Sequence, residues 1–174
     1  MRKILVTTLL LILSVPAVAE QQIYGALSVG NANEADLSGL GNTASGTSAG
    51  ATFGFHMNKN FAYEVSYLSL LSNAKISNST ASRTIHGAEL AVVANCFVGQ
   101  NFSVFGRLGY ANLDQPYSTG IAVSNLVGFI YGGGVQYDLN STISVRAGYQ
   151  IANLTGKSGD AIVNDAYASL LYNF

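Results

Sequence analysis

The chain has 174 residues, 49% of them hydrophobic and only 10% charged, with a formal net charge of −1. Soluble domains carry about 25% charged residues, so an ordinary water-facing globule is a poor match, and the lack of any basic cluster leaves no electrostatic footprint for nucleic acid. No apolar run beyond residue 19 reaches the roughly 20 residues of a transmembrane helix, so lipid-facing surface in this chain has to be carried by strands closed into a barrel.

At the N-terminus, Arg2 and Lys3 precede an apolar run from Ile4 to Val15, which Pro16 ends before Ala17-Val18-Ala19. These are the charged, apolar and small-residue parts of a secretory signal peptide, too short in its apolar part to span a bilayer. Cleavage is expected after Ala19, leaving residues 20–174 as one barrel domain. Cys96 is the only cysteine and cannot form an intrachain disulfide.

The remainder reads as segments of period two separated by turn signals. Residues 22–30 form the first expected strand, followed by a long polar connector over 31–49. A strand over 50–57 leads through Asn58-Lys59-Asn60 into 61–67, where Phe61, Tyr63, Val65 and Tyr67 alternate with Ala62, Glu64 and Ser66. After a connector over 69–86 come strand 88–97, the turn Gly99-Gln100-Asn101, and strand 102–110, in which Phe102, Val104, Gly106, Leu108 and Tyr110 share one face. A connector over 112–124 precedes strand 126–137 and the turn Leu139-Asn140-Ser141. The clearest strand follows, with Ile143, Val145, Ala147, Tyr149 and Ile151 against Ser144, Arg146, Gly148 and Gln150. A connector over 152–164 leads to the last strand, 166–174. Glycine and alanine on both faces weaken the pattern in 22–30, 50–57, 88–97 and 126–137. Long and short connectors alternate strictly, as in an antiparallel barrel with long outer loops at one rim and short periplasmic turns at the other. The expected fold is an all-β, eight-stranded, antiparallel, up-and-down transmembrane β-barrel.

Charges sharpen this expectation. Glu64, Glu89, Arg107 and Arg146 all fall on the non-apolar parity of their strands. An Arg on the lipid face would cost about 2–4 kcal/mol at the bilayer midplane. A barrel of this size is just wide enough for side chains to fill, so the implied interior is plugged by an ion-pair network. Glu64 and Arg146 each lie a few residues after a short turn and are expected to pair, directly or through Gln136 or water; Arg107 is expected to meet Glu89 or Gln136. A soluble β-sandwich would reverse the pattern, with its charges outside. Phe61, Phe102, Tyr137, Tyr172 and Phe174 suit an aromatic girdle at the membrane interface.

Several of these segments resemble the OmpA-like outer-membrane barrel family: 50–58 with Phe61-Ala62-Tyr63-Glu64-Val65-Ser66-Tyr67, Arg107-Leu108-Gly109, Gly133-Gly134-Val135-Gln136-Tyr137, and 144–150. The likeness covers nearly all of 22–174 and implies an outer-membrane location. It places the family's interior acid–base pair at Glu64 and Arg146. It also implies that the terminal Tyr172-Asn173-Phe174 is the aromatic signal read by the barrel-assembly machinery. In the family's best-known member the position of Gln136 is acidic and that of Val93 is a lysine, so the interior network expected here is smaller. The soluble peptidoglycan-binding domain that follows some family barrels is not expected, since the sequence stops at Phe174.

Candidate chemistry is sparse. A lipid A deacylase of the barrel type would need His-x-Ser on a strand, but His56 is followed by Met57-Asn58 and His86 by Gly87-Ala88. The histidines and Cys96 lie too far apart for a zinc site. Gly39-Leu40-Gly41 reads as loop flexibility, and Gly132-Gly133-Gly134 as strand glycines permitting curvature or close packing. No enzyme activity, cofactor or metal is expected. The reading is a small structural or surface-interaction barrel, with adhesion or envelope integrity as the role that the resemblance allows. The alternative is a narrow channel for ions or small solutes, and a lipid-modifying enzyme stands third. Expected partners are outer-membrane lipids and lipopolysaccharide, the assembly machinery, and host or environmental surface ligands; a monomer is expected.

Overall fold

The structure is a computed structural model that describes residues 23–35, 44–76, 82–116, 123–156 and 159–174. The expected signal peptide and Gly39-Leu40-Gly41 lie outside the described residues. Eight long strands form the wall: β1 (Ile23–Ala35), β2 (Ala44–His56), β3 (Phe61–Ile76), β4 (His86–Phe97), β5 (Phe102–Pro116), β6 (Val123–Asp138), β7 (Ile143–Gly156) and β8 (Gly159–Asn173). Each pairs antiparallel with its sequence neighbour, and β8 pairs with β1, so the sheet closes without a free edge among these strands. A two-residue strand, Ser82–Arg83, extends the outer end of β3 by pairing with Ala74 and Lys75.

The short turns are built alike. Met57, Val98 and Leu139 each donate a backbone N–H to the carbonyl four residues on, at 2.9 Å in every case. Asn58 Oδ1 accepts from the backbone N–H of Asn60 and Phe61, and Asn140 Oδ1 from those of Thr142 and Ile143, which is why asparagine stands at these corners. The chain end seals the same rim: Phe174 N–H donates to the Ile23 carbonyl at 2.9 Å.

The strands run farther than the alternation implied. Of the expected connectors, residues 31–35, 44–49, 69–76, 112–116, 123–124, 152–156 and 159–164 are strand, and β7 and β8 stay paired out to Gly156 opposite Gly159. The cause is a change of parity partway up the wall. Near the short turns, Leu108 and Tyr110 of β5 face outward, more than half exposed, while Arg107 is buried inside. Farther along the same strand, Ala111 and Leu113 are fully buried inside while Asn112 and Asp114 face out. The same switch occurs in β7, where Ala152 and Leu154 turn inward and Asn153 outward, and in β8, where Ala161 and Val163 are inward and Asn164 outward. Apolar out and polar in suits lipid; polar out and apolar in suits water. The barrel therefore has a membrane storey and, beyond it, an aqueous storey.

From Phe102 to Tyr110 the tilted strand climbs about 20 Å, close to the apolar band of roughly 25 Å in such barrels. The outer storey adds about 15 Å by the same geometry. Its interior is an apolar cluster that includes Leu70, Leu71, Ile85, Leu113, Leu126 and Leu154. A bulge in β3 supplies an extra side chain to it. The β2–β3 register slips between Thr47 and Ala49, Leu71 takes φ 89°, and the consecutive Leu70 and Leu71 are both buried. A smaller apolar layer of Tyr24, Ala62, Val93, Phe105 and Leu171 lies nearer the short turns.

Candidate functional site: the charged layer of the barrel interior

Between these apolar layers sits the charged layer. Strand parity aims its members inward: Glu64 from β3, Glu89 from β4, Arg107 from β5 and Arg146 from β7, all buried. Arg146 Nη1 donates to Glu64 Oε1 at 2.7 Å. Its Nε and Nη2 donate to Gln136 Oε1 at 3.2 and 3.0 Å, and its guanidinium lies 4.6 Å over the Phe105 ring. Arg107 Nη2 donates to Glu89 Oε2 at 2.8 Å and lies 3.6 Å from Glu64 Oε2. The five residues read as an interior network are thus brought together in one layer. Gln136 serves Arg146, not Arg107.

The layer also contains residues that the sequence reading missed. Tyr24 donates its hydroxyl to Glu64 Oε1 at 2.6 Å. Arg107 Nη1 donates to Gln150 Oε1, Gln150 Nε2 donates to Asp165 Oδ2 at 2.9 Å, and Ser48 Oγ donates to Asp165 Oδ1 at 2.6 Å. Toward the short turns Gln136 Nε2 donates to Asp138 Oδ1 at 3.0 Å. Polar contacts thus run unbroken from Asp138 at the short-turn end to Ser48 at the foot of the outer storey. With Asp165 included, three carboxyls (Glu64, Glu89, Asp165) face two guanidiniums (Arg107, Arg146), one acid more than the balanced set expected. Gln150 was legible, since it shares a face with Arg146 four residues earlier. Asp165 was hidden because it adjoins a segment read as loop, and Tyr24 because β1 alternates weakly.

Two glycines make room for this layer. A Cβ on Gly54 would stand 2.0 Å from the Tyr24 ring, and one on Gly109 would stand 2.2 Å from Glu89 Oε1. Glu89 Oε1, Arg107 Nε and the Tyr167 hydroxyl are buried without a hydrogen-bond partner among the described residues. A residual cavity of about 20 Å³ beside Arg107, Ser48 and Tyr167 has room for about one water.

At the short-turn rim a vestibule of about 610 Å³ is lined by His56, Lys59, Gln136, Asp138 and Ser144, among others. The His56 ring lies tilted against Tyr24 at 4.9 Å, and His86 stands 6.3 Å from Tyr67. Cys96 is free and exposed. No group of three or more His, Cys, Asp or Glu side chains gathers for a metal among the described residues. Phe61, Phe102, Tyr137, Tyr172 and Phe174 are all exposed near the short-turn rim, and the rings of Tyr172 and Phe174 meet edge to face at 5.1 Å.

Solved structures share this architecture. Neisserial surface protein A superposes with a TM-score of 0.73 at 14% identity, covering 89% of this chain and all of that one. The attachment invasion locus protein Ail of Yersinia pestis gives 0.55 at 14% identity over 87% of this chain and 98% of its own. OprG of Pseudomonas aeruginosa gives 0.52 at 16% identity over 88% and 95%. At these identities the likeness is one of fold. No match to a curated protein was found. The outer membrane protein beta-barrel domain matches residues 5–174, nearly the whole chain, and the protein belongs to that family.

Proposed function

We propose that this protein is exported by a signal peptide cleaved after Ala19 and acts in the outer membrane as a monomeric structural and surface-interaction barrel. In this reading its outer storey and connectors meet the environment, or a host surface, and its wall meets lipid and lipopolysaccharide. The observation that carries the proposal is the filling of the lumen. The charged layer is packed between apolar layers, with Tyr24 and Phe105 on one side and Leu70, Leu113 and Leu154 on the other. Such an interior stabilises a wall, and the buried Leu70, Leu113 and Leu154 fill its outer end. Two proteins of this fold, a Neisserial surface protein and the Yersinia pestis attachment invasion locus protein, carry names that point the same way. The second reading, a narrow channel, draws on the vestibule that reaches Gln136 and Asp138. Adhesion and serum survival of a deletion strain, scored beside single-channel recordings of the refolded protein, separate the two. A deletion that leaves adhesion and survival intact, together with steady unitary conductance, favours the channel.

A further inference from the structure

We propose that Ser69, His86 and Asp114 form a hydrolytic site on the outward face of the wall, one that cleaves carboxylic esters of acyl lipids. This adds an activity to the structural role above and leaves that role standing. The observation is one of register. Ser69 of β3 lies directly opposite His86 of β4, and His86 lies directly opposite Asp114 of β5. All three have outward parity: Tyr67, Ala88 and Asn112, each two residues along the same strand, are exposed, as is Asp114, while Ser69 and His86 are half-buried. Directly opposed Cβ atoms stand about 4.5–5.5 Å apart. The imidazole therefore has a hydroxyl on one side and a carboxylate on the other, each one strand away. A base set between an acid and a nucleophile is the arrangement that activates a serine. Neither histidine begins His-x-Ser, yet pairing supplies from three strands what one strand lacks.

The surroundings fit an ester. Just beyond Ser69 the strand bulges and Leu71 takes φ 89°; bulges and backbone strain of this kind gather beside active sites. Ser72 Oγ lies 2.7 Å from Ser69 Oγ, where a hydroxyl can donate to the oxygen of an attacked carbonyl. Toward the membrane the same face is apolar, with Val65, Tyr67 and Leu90 exposed. Across both neighbouring strands Tyr67 is flanked by Ala51 and Ala88, whose small side chains leave room for an acyl chain beside the ring. The row thus stands at the change of parity, the level where a lipid's ester bonds leave the hydrocarbon. The His86 ring leans toward Tyr67, with centroids 6.3 Å apart. Rotation of side chains alone closes the site, and catalytic hydrogen bonds often tighten only with substrate in place.

The reaction balances as a hydrolysis. Ser69 Oγ attacks the carbonyl carbon while its proton passes to His86. The bond from that carbon to the alkoxy oxygen breaks, and the proton goes on to the leaving alcohol. Water then attacks the acyl-serine, giving one proton to His86, which returns it to Ser69 Oγ as the fatty acid leaves. One ester and one water become one acid and one alcohol. Asp114 acts through His86, as a positioning residue.

The test uses the refolded, heat-modifiable full chain in mixed micelles with phosphatidylethanolamine or with lipid A, and follows released fatty acid by mass spectrometry. A fluorophosphonate probe is added in parallel and the modified peptide identified. We expect fatty acid from at least one of the two lipids, the responding arm naming the source of the ester, and covalent addition of the probe at Ser69. That addition in wild type answers without any variant. Ser69→Ala abolishes release and labelling. His86→Gln lowers release at least about 100-fold, the scale of general-base catalysis, while the chain stays heat-modifiable. Asp114→Asn lowers kcat with KM unchanged, and Asp114→Glu restores part of it. Ser72→Ala keeps the probe on Ser69. Folded wild type that releases no fatty acid from either lipid overturns the proposal, and so does release or labelling that survives Ser69→Ala.

Discussion

Arg146 is held by a carboxylate, a carboxamide and an aromatic face, and the strength of that setting shows in what its removal leaves behind. Arg146→Ala strips Glu64 of its 2.7 Å partner inside a buried layer. Breaking one side of a buried pair costs roughly 3–5 kcal/mol, and the loss here should fall toward the lower end because Glu64 keeps the Tyr24 hydroxyl and Arg107 at 3.6 Å. Urea unfolding in micelles should show that loss, and Glu64→Arg combined with Arg146→Glu should recover part of it; additive effects of the single and double variants would show that the pair is not coupled. Tyr24→Phe removes the hydroxyl donated to Glu64 and should cost about 1.5–3 kcal/mol, as hydrogen bonds to charged groups do. Gly54→Ala forces the Tyr24 ring away from its seat and should destabilise at least as much in the same assay. The acid and base positions could be read from parity because a charge on the lipid face is so costly. The glycine seats could not, since a glycine at an inward position looks the same in sequence whether or not a ring fills the space over it.

At the scale of strands, the change of parity makes neighbouring residues behave as if in different solvents. Asn112 faces water or headgroup while Leu113 is sealed in the outer core. In a Cys96→Ser background, a membrane-impermeant maleimide should label Asn112→Cys on intact cells and leave Leu113→Cys unlabelled; equal labelling would refute the inversion. Leu113→Ala should cost about 2–5 kcal/mol, as a core truncation does, whereas Leu108→Ala exchanges a lipid-facing side chain and should cost less. The membrane storey was legible because period-two alternation with apolar residues outward runs without interruption from Phe102 to Tyr110 and from Ile143 to Ile151. The outer storey was not. Asn112, Asn153 and Asn164 interrupt the outward apolar row, and asparagine beside glycine and serine carries the composition of a loop. The inward row of Ala111 and Leu113, or Ala152 and Leu154, is too short to announce a strand without knowledge of which face it takes.

For the whole molecule, a filled lumen predicts silence in planar bilayers. Wild type should give no steady unitary conductance, and Glu64→Ala should not open one, because Leu70, Leu113 and Leu154 still close the outer end. A persistent conductance in either protein would favour the channel reading. Assembly should depend on the seam. Phe174 bonds through its backbone to Ile23 and packs its ring against Tyr172, so deleting Phe174 should lower the heat-modifiable fraction in outer-membrane preparations. Deletion at wild-type yield would separate the terminal aromatic from assembly.

The outer storey has a further consequence for how long the barrel stays where it is. Its strands cross the bilayer before they reach water, and only there does burying Leu70, Leu71, Ile85, Leu126 and their neighbours release free energy, since within the bilayer a protein core offers apolar side chains nothing that lipid does not. Once that core has condensed on the far side, a hairpin that slips back has to dissolve it and draw Asn112, Asn153 or Asn164 through the hydrocarbon. The outer storey is thus built as a latch: a small core made in water, apart from lipid, has to be undone before the barrel can leave the membrane.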